Sequence, residues 1–324
     1  PVLGKIWLAT NGKALEVEPR FCLYEDIRGN IVLLPFCTFR SSWRNTWERR
    51  LIGIGEPHFD YQSPLAINTG DKAVDWEAFW RNFHKEVTCN IDWFDMVMLL
   101  RIRSDLAPAN ATPDLTLASP YIKVNLYTSF DEYLSHRPTS HRTDVRRQKK
   151  RLAKKGDIEL RILAPNEKDE AFRELDKMIS AYEDLWAGQP SSVLFGLPGT
   201  LDFYKTLIDQ VLEAGFIHFS VLKVDGISVS WHFGFLYRGV LHYYKPTYSI
   251  KYANYSPSKI HLAMLVEHGI KEGLRYIDLG GGAQQYKYLW TDNAFELSFF
   301  MWRTATIRSK MCQLVRKIKK TVQS

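Results

Sequence analysis

A Ser-Pro-Ser-Lys segment in the second half of the chain has residue types that can bind an anion. Tyr255-Ser256-Pro257-Ser258-Lys259 lies between a strand-like run and a helical pattern. Ser256 can cap that helix, and Pro257 suits its first position, where no amide hydrogen is needed. The N–H groups of a helix N-terminus attract phosphate, and Lys259 would add a positive charge. The segment predicts a cradle for a pyrophosphate, with an ordinary capped helix as the alternative.

A second candidate segment contains three consecutive glycines. Asp278-Leu279-Gly280-Gly281-Gly282 ends a strand-like run, and Tyr286 and Lys287 follow shortly after it. Glycine lets the backbone approach a ligand closely, and the lysine could meet an anionic carrier or polarise a carbonyl. The spacing lacks the GxGxxG pattern of a dinucleotide-binding helix, which disfavours a Rossmann site. A flexible turn with an exposed lysine is the alternative.

Histidines on two consecutive strand-like runs could move a proton. Alternation turns His232 away from its two aromatic neighbours, while His242 and Tyr244 share one face of the next run. Histidine titrates near neutral pH and can act as a general base. A buried structural histidine is the alternative. The sequence has no Ser/His/Asp order, HExxH motif or convincing pair of carboxylates.

A loop in the first half contains a further polar pair. Asp60 and Tyr61 follow Gly55-Glu56-Pro57-His58-Phe59, where glycine and proline indicate a loop. We expect the pair to face a cleft between the two halves of the chain. An aspartate that caps its own loop is the alternative.

The elements that would position these residues have a clear order in the second half. A basic helix over 142–155 ends at Gly156, a common helix terminator. Two helices and a three-stranded antiparallel meander follow, with tight turns at Asp225-Gly226 and Arg238-Gly239. The predicted segments are strand 157–163, helices 167–186 and 200–213, strands 216–224, 227–236 and 240–248, helix 258–272, and strands 276–279 and 295–304.

The first half alternates strand-like runs with one strongly periodic helix. Trp76, Phe79, Trp80 and Phe83 follow the i, i+3, i+4, i+7 spacing of a helix over 75–87. Strands are expected at 15–27, 30–36, 94–103 and 121–127, and a linker at 135–140. The chain therefore predicts an α/β (α+β) protein of two domains, 1–136 and 137–324.

Composition narrows the class of protein. The 324 residues are 45% apolar and 14% aromatic, which favours a folded globular chain. The four cysteines are far apart and form no CxxC pair, so neither a disulfide framework nor a metal site is expected. No apolar run approaches the roughly 20 residues of a membrane helix, and the first residues do not resemble a signal peptide. We therefore expect a cytoplasmic protein.

Positive charge is concentrated in two segments. Residues 142–155 contain eight bases and one acid, and residues 303–320 contain seven bases and no acid. The rest of the chain has more acids than bases, which predicts a localised anionic partner. Apolar residues line one face of the C-terminal segment, as in helices that lie on a membrane surface. Solvated or packed helices without such a partner are the alternative.

The order of these motifs resembles the GNAT superfamily of N-acyltransferases, particularly its CelD-like and FemAB-like branch. Bacterial members of that branch have two tandem domains and are linked to polysaccharide or lipid biosynthesis. The resemblance implies two tandem GNAT-like domains, each a mixed, mostly antiparallel sheet flanked by helices, with the first domain truncated at its start. The matching stretches are 33–36, 59–61, 146–152, 252–258, 277–280 and 286–290.

The resemblance also implies the roles of the candidate residues. Acyl-CoA or an acyl carrier protein would insert between strands 240–248 and 276–279. Ser258 stands where relatives usually have glycine. The serine side chain leaves less room for the pyrophosphate. Backbone N–H groups of 241–245 would stabilise the oxyanion. The implied donor-binding residues are Tyr244, Lys245, Tyr255, Ser256, Ser258 and Lys259. Tyr286 and Lys287 would lie near the thioester, and His232 or Asp278 would be the base. The implied substrate-binding residues are Asp60, Tyr61, Gly280 and Gly281.

These observations predict an N-acyltransferase that acts on an amine of a lipid or polysaccharide precursor at the inner membrane face. The two basic segments would recruit an acidic carrier protein or an anionic membrane. An alternative is a FemAB-like transferase that uses aminoacyl-tRNA on a cell-wall precursor. Another is a non-catalytic GNAT-like binding module.

Overall fold

The computed structural model describes residues 2–39, 48–67, 73–90, 93–188, 194–282 and 284–314. The helices in these ranges are α1 (Val2–Trp7), α2 (Trp76–Lys85), α3 (Phe130–Ser135), α4 (Thr139–Ala153), α5 (Lys168–Leu185), α6 (Thr200–Val211) and α7 (Pro257–Lys271). The strands are β1 (Val17–Glu25), β2 (Ile31–Phe39), β3 (Arg50–Gly53), β4 (Leu65–Ile67), β5 (Met96–Arg103), β6 (Leu115–Ile122), β7 (Ile158–Ile162), β8 (Ile217–Val224), β9 (Ile227–Tyr237), β10 (Val240–Tyr248), β11 (Tyr276–Asp278) and β12 (Ala294–Arg303). Residues 307–314 are also helical.

The chain divides into two compact units. Unit 1 comprises Pro1–Ala118 and Glu296–Ser324, and unit 2 comprises Ser119–Phe295. This division differs from a single boundary at 136/137 because strand pairing connects residues that are distant in sequence. β6 follows β5 in the chain but pairs with β11, whereas β12 follows β11 but pairs with β5. Each half of the chain therefore supplies one strand to the sheet of the other half.

The sheet of unit 1 is covered by an aromatic helix. Its strands pair in the order β1-β2-β3-β5-β12, and only β3 and β5 pair in parallel. Asp75 caps α2 by accepting a hydrogen bond from the amide of Ala78 at 2.9 Å. Phe79, Trp80 and Phe83 are buried in one core with the inward face of β2. The predicted helical spacing is confirmed.

The sheet of unit 2 is built on the predicted meander. Its strands pair in the order β6-β11-β10-β9-β8-β7. Asp225-Gly226 and Arg238-Gly239 all have positive φ, the conformation of a tight two-residue hairpin turn. Helix α7 connects β10 to β11, which pair in parallel, as such a crossover requires. Two mixed, mostly antiparallel sheets flanked by helices confirm the predicted fold class.

No helix in the described part of the chain is long and apolar enough to cross a membrane.

Candidate active site

The pairing of two strands of unit 2 ends in the region where the donor was predicted to bind. The parallel pairing of β10 and β11 covers Val240–His242 and ends at His242 and Asp278, while β10 continues to Tyr248. The pairing of β10 with β9 also changes register between His242 and Lys245. Such a bulge bends a strand and interrupts its regular ladder. We call residues 243–245 and 279–281, which follow the last parallel pair, the strand fork.

One side of the strand fork is a glycine turn held by two buried side chains. The carboxylate of Asp278 accepts a hydrogen bond from the amide of Gly280 at 2.8 Å. Nζ of Lys287 donates to the carbonyl oxygens of Gly280 and Gly281 at 3.0 and 3.2 Å. Lys287 is 4% exposed, so the interpretation of an exposed lysine is wrong. Its ammonium group stabilises the turn instead.

The other side contains a tyrosine that sequence analysis did not single out. Tyr243 is buried in β10, and its ring stacks on that of His232 with centroids 4.6 Å apart and planes 17° apart. Burial raises the pKa of Tyr243, and the nearby Tyr286 hydroxyl adds to that shift. The structure thus brings His232 and Tyr286, both predicted, together around Tyr243.

His232 belongs to a buried chain of hydrogen bonds between α7 and the sheet. Ser230 Oγ donates to the carbonyl oxygen of Thr247 at 2.9 Å and lies 3.1 Å from Nδ1 of His261. Ser220 Oγ lies 2.9 Å from Nε2 of His261 and 3.3 Å from Nδ1 of His232. All five residues are buried, so water does not compete for these bonds.

The carbonyl group at one end determines the tautomers along this chain. A carbonyl only accepts, so Ser230 donates to Thr247 and must accept from Nδ1–H of His261. Nε2 of His261 then accepts from the Ser220 hydroxyl, whose oxygen lies 3.3 Å from Nδ1 of His232. The other nitrogen of His232, Nε2, lies beside the backbone carbonyl oxygen of His242, and a carbonyl oxygen accepts only from a nitrogen that carries a proton.

Nε2 of His232 lies at the base of the strand fork. A Cβ on Gly234 would overlap both that nitrogen and the carbonyl oxygen of His242, the last β10 residue paired with β11. Glycine at this position therefore allows the imidazole and the carbonyl to approach each other. The ring itself is fully buried, so it borders the base of the fork without lining its surface.

Burial keeps these imidazoles neutral. It lowers the pKa of His232 well below 6.5, and the neighbouring His218 and His261 add to the shift. Burial also lowers the pKa of His261 to about 3 and that of His218 to about 4. At neutral pH, His232 is therefore neutral, and its lowered pKa makes it a weaker base than an ordinary histidine.

Sequence analysis missed most of this hydrogen-bonded chain, although a signal was present. His218 and Ser220 alternate on β8, and Ser230 and His232 alternate on β9. A period of two places all four side chains on one face of paired strands. Polar residues at positions that pattern as core are the sign that was overlooked.

The start of α7 differs in part from the prediction. Pro257 is the first residue of the helix, as predicted. Ser256, however, has φ +51° and ψ +53°, and its side chain makes no capping hydrogen bond. Capping side chains need an extended backbone, so the left-handed conformation prevents this contact. The prediction that Ser256 caps α7 is wrong. Its carbonyl oxygen accepts from the amides of Lys259 and Ile260 at 3.0 and 3.3 Å.

The predicted anion-binding lysine is paired with an acid. Lys259 forms an ion pair with Asp144 of α4, and the hydrogen bond from Lys259 is the main reason the pKa of Asp144 is lowered. Arg151 and Lys155 lie over the ring of Tyr255, at 5.7 and 5.5 Å from its centroid. Ser258 is half-buried in the first turn of α7. The basic helix thus lies directly beside the start of α7.

The remaining predicted residues lie in two places. Tyr244 and Lys245 belong to the strand fork, where Nζ of Lys245 lies 4.4 Å from the Tyr244 ring centroid. The Tyr244 hydroxyl lies 3.5 Å from that of Tyr204 on α6. Asp60 and Tyr61 lie in unit 1, in the loop after β3. Their contact with substrate stays a prediction.

The described residues include no group of three or more His, Cys, Asp or Glu side chains placed to hold a metal ion. The four cysteines are all free thiols.

Known proteins resemble this chain in sequence and in fold. Residues 139–288 match the family described as an acetyltransferase (GNAT) domain. No curated protein matches the chain. Among solved structures, FemX has a TM-score of 0.57 and 9% identity, covering 95% of this chain and 93% of that chain. The C-terminal domain (DUF2156) of a protein assigned as a lysylphosphatidylglycerol synthetase from Agrobacterium fabrum has a TM-score of 0.54 and 9% identity, covering 96% and 95%.

A conserved protein of unknown function from Bacteroides thetaiotaomicron VPI-5482 is also similar, with a TM-score of 0.51 and 13% identity, covering 92% of this chain and 89% of that chain. Identities this low establish a shared fold alone. The family match covers α4 through the glycine turn and thus includes the strand fork, and it supports acyl transfer of the GNAT type.

Proposed function

We propose that unit 2 transfers an acyl group from a thioester, acyl-CoA or acyl carrier protein, to an amine of a lipid or polysaccharide precursor. The end of the β10–β11 ladder at His242 and Asp278, beside a register shift in the β10–β9 ladder, is the observation that carries this proposal. An extended donor arm would enter beyond the last pair of β10 and β11. Helix α7 begins soon after β10 ends, and its N-terminus would hold the pyrophosphate of the same donor.

The reaction needs an oxyanion site and a proton acceptor. The amine attacks the thioester carbonyl, the C–N bond forms, the C–S bond breaks, and the thiolate leaves with the bonding pair. Backbone N–H groups in 241–245, where the ladder is interrupted, would stabilise the oxyanion. The amine proton passes to a base and then to the thiolate or to solvent.

We propose His232 or Asp278 as the base. Nε2 of His232 lies at the base of the strand fork but is fully buried. Asp278 uses its carboxylate to accept a hydrogen bond from the amide of Gly280. We assign Lys287 the role of holding the glycine turn in the shape that borders the donor.

The start of α7 would hold the donor pyrophosphate through Ser256, Ser258 and Lys259. Ser258 occupies the first turn, where glycine would leave more room. We expect Ser258→Gly to tighten CoA binding. Ser258→Asp should weaken CoA binding by repulsion, while its carboxylate remains favourable for the helix dipole and preserves the fold.

An assay of thiol release tests the proposal. Acetyl-CoA and palmitoyl-CoA are incubated with the protein and a panel of amino sugars and aminolipids, and free thiol is measured. We expect release that depends on the amine and falls at least tenfold in Ser258→Asp. Thioester consumption that is independent of the amine, or unchanged in Ser258→Asp, would contradict it.

An aminoacyl ester of tRNA is the second candidate donor, and the surface of α4 favours it. Seven bases between 146 and 155 are exposed: Arg146, Arg147, Lys149, Lys150, Arg151, Lys154 and Lys155. They lie on the helix that contacts Lys259 at the start of α7. A gel shift with charged tRNA should weaken steeply with salt. The logarithm of the binding constant should fall by about 0.7–0.9 per phosphate contact for each tenfold rise in salt concentration. A weak or salt-independent shift would exclude this donor.

A further inference from the structure

A helical segment of unit 1 exposes an unusually apolar face. Residues 307–314 are helical, and Ile307, Met311 and Leu314 are 78%, 57% and 59% exposed. Their spacing of i, i+4 and i+7 aligns them along one side of the helix. Single exposed apolar residues are common on proteins, but an aligned stripe is typical of a surface that binds another protein or a membrane.

The opposite side of this helix is attached to unit 1. Ser309 and Cys312 are buried, and Ser309 Oγ donates to the backbone carbonyl of Asp95 at 2.7 Å. At about 100° per residue, the apolar stripe lies roughly opposite the side formed by these two residues. The helix is therefore fixed with its stripe directed away from the unit that holds it.

Positive charge lies on both sides of the stripe. By the same rotation, Arg308 and Lys310 flank it on opposite sides, and both are exposed. Arg308 also contacts the Asp95 carboxylate at 3.2 Å, which fixes its position. The surrounding sequence, 303–320, contains seven bases and no acid. An apolar ridge between bases fits the boundary between anionic headgroups and acyl chains.

An aromatic side chain close in sequence to the attachment point fits the same partner. Trp93 is 39% exposed, lies two residues before Asp95, and has the guanidinium of Arg20 at 5.2 Å from its ring centroid. A half-exposed tryptophan next to a base suits a membrane–water interface. We propose that residues 307–314 dock unit 1 on the surface of an anionic lipid bilayer.

Vesicle sedimentation with the full chain tests this proposal. The protein is incubated with vesicles of equal phosphatidylglycerol and phosphatidylcholine, and separately with phosphatidylcholine alone. We expect binding to the anionic vesicles, at least tenfold weaker binding to the neutral ones, and weakening with added salt. The double variant Ile307→Ser, Met311→Ser should bind at least tenfold more weakly. Both positions are exposed, so the fold should persist.

Ile27→Ser is the matched control, because Ile27 is a fully exposed isoleucine in a turn elsewhere in unit 1. Its binding should equal that of the wild type. Equal binding of the double variant, or no binding to anionic vesicles, would overturn the proposal. A dimer that the double variant dissociates, in the absence of vesicle binding, would assign the stripe to a second copy of the chain instead. None of these readouts depends on transferase activity.

Discussion

Both units contain a parallel strand pair connected through a helix, and the pair of unit 2 ends beside a glycine turn. In unit 1, β3 and β5 are connected through α2, and the loop after β3 covers the end of the pair. The backbone N–H of Gln62 donates to the Arg101 carbonyl on β5 at 3.3 Å, and the Gln62 side chain lies against Gly53 at the end of β3. In unit 2, β10 and β11 lead into the turn held by Lys287. A loop thus lies against the end of the pair in unit 1, and a glycine turn held by Lys287 borders the end of the pair in unit 2.

The helices that connect the two parallel pairs, α2 and α7, differ in what they bury. Helix α2 packs by stacked and edge-on aromatic rings, Phe79 and Phe83 among them. Helix α7 also buries His261 in a hydrogen-bonded chain with two serines. Buried polar groups cost stability unless they are satisfied, and the two serines satisfy both ring nitrogens of His261.

Acidification should have the largest effect of these tests, because it should lower the stability of unit 2 more than that of unit 1. Burial lowers the pKa of His218, His232 and His261 below 6.5, so the unfolded chain binds more protons than the folded one below that pH. Stability is therefore fully present above pH 6.5 and falls toward pH 4. Between pH 6.5 and their lowered pKa values, each histidine contributes about 1.4 kcal/mol per pH unit, and the three together about 4 kcal/mol per pH unit.

Hydrogen exchange at pH 7 and pH 5 would check this. Amides of β8 and β9 should lose protection, while those of β1 and β2 keep theirs. His261→Leu should make the acid dependence shallower. Uniform loss of protection in both units would remove the distinction.

Phe79→Ala tests the aromatic packing of unit 1. Phe79 is buried and contacts the rings of Tyr24, Trp76, Trp80 and Phe83. Loss of such a side chain leaves a cavity, and we expect the free energy of unfolding to fall by about 3–5 kcal/mol. Urea unfolding measures this change. Leu23→Ala, at an exposed site of the same sheet, is the control, and similar values for both variants would argue against a packed core here.

Lys287→Ala tests the glycine turn of unit 2. Removing the ammonium leaves the carbonyl groups of Gly280 and Gly281 without that donor, so the turn should lose its shape. We expect turnover to fall at least about tenfold, or about 1.4 kcal/mol in barrier. Lys205→Ala, on α6, controls for loss of charge. Unchanged turnover in a folded Lys287→Ala variant would remove this residue from the site.

Gln62→Ala should have the smallest effect. The side chain contributes one hydrogen bond to Glu56, so a loss of about 1 kcal/mol in unfolding free energy is expected. Stabilisation by a thioester donor should be unchanged, because unit 1 is not assigned a donor site. Weaker donor binding in this variant would show that the covered strand pair takes part.

Local patterns predicted local structure well. The spacing of Trp76 to Phe83 identified α2, and the two Xaa-Gly turns identified the meander, because both signals lie within a few residues of sequence. Such local signals do not predict pairing between distant strands. The pairing of β6 with β11 and of β12 with β5 was therefore missed. The same limitation hid the contacts of His261, whose partners lie on strands far away in the chain.

The candidate site residues stay predictions, although His232, Asp278, Tyr286 and Lys287 lie in or around the strand fork. Their contacts depend on tertiary structure: Lys287 is buried against two carbonyl groups, and Ser256 takes a left-handed conformation. Propensity rules describe average backbones, so an unusual φ at a functional turn escapes them.

Donor binding at the strand fork is the central claim, and thermal unfolding tests it most directly. Wild-type protein and Ser258→Asp would be heated alone and with acetyl-CoA, palmitoyl-CoA or free CoA. We expect one thioester at about 100 times its Kd to stabilise the wild type by roughly 2.7 kcal/mol, and Ser258→Asp clearly less. No stabilisation by any of the three, or equal stabilisation of both proteins, would contradict a CoA donor at this site.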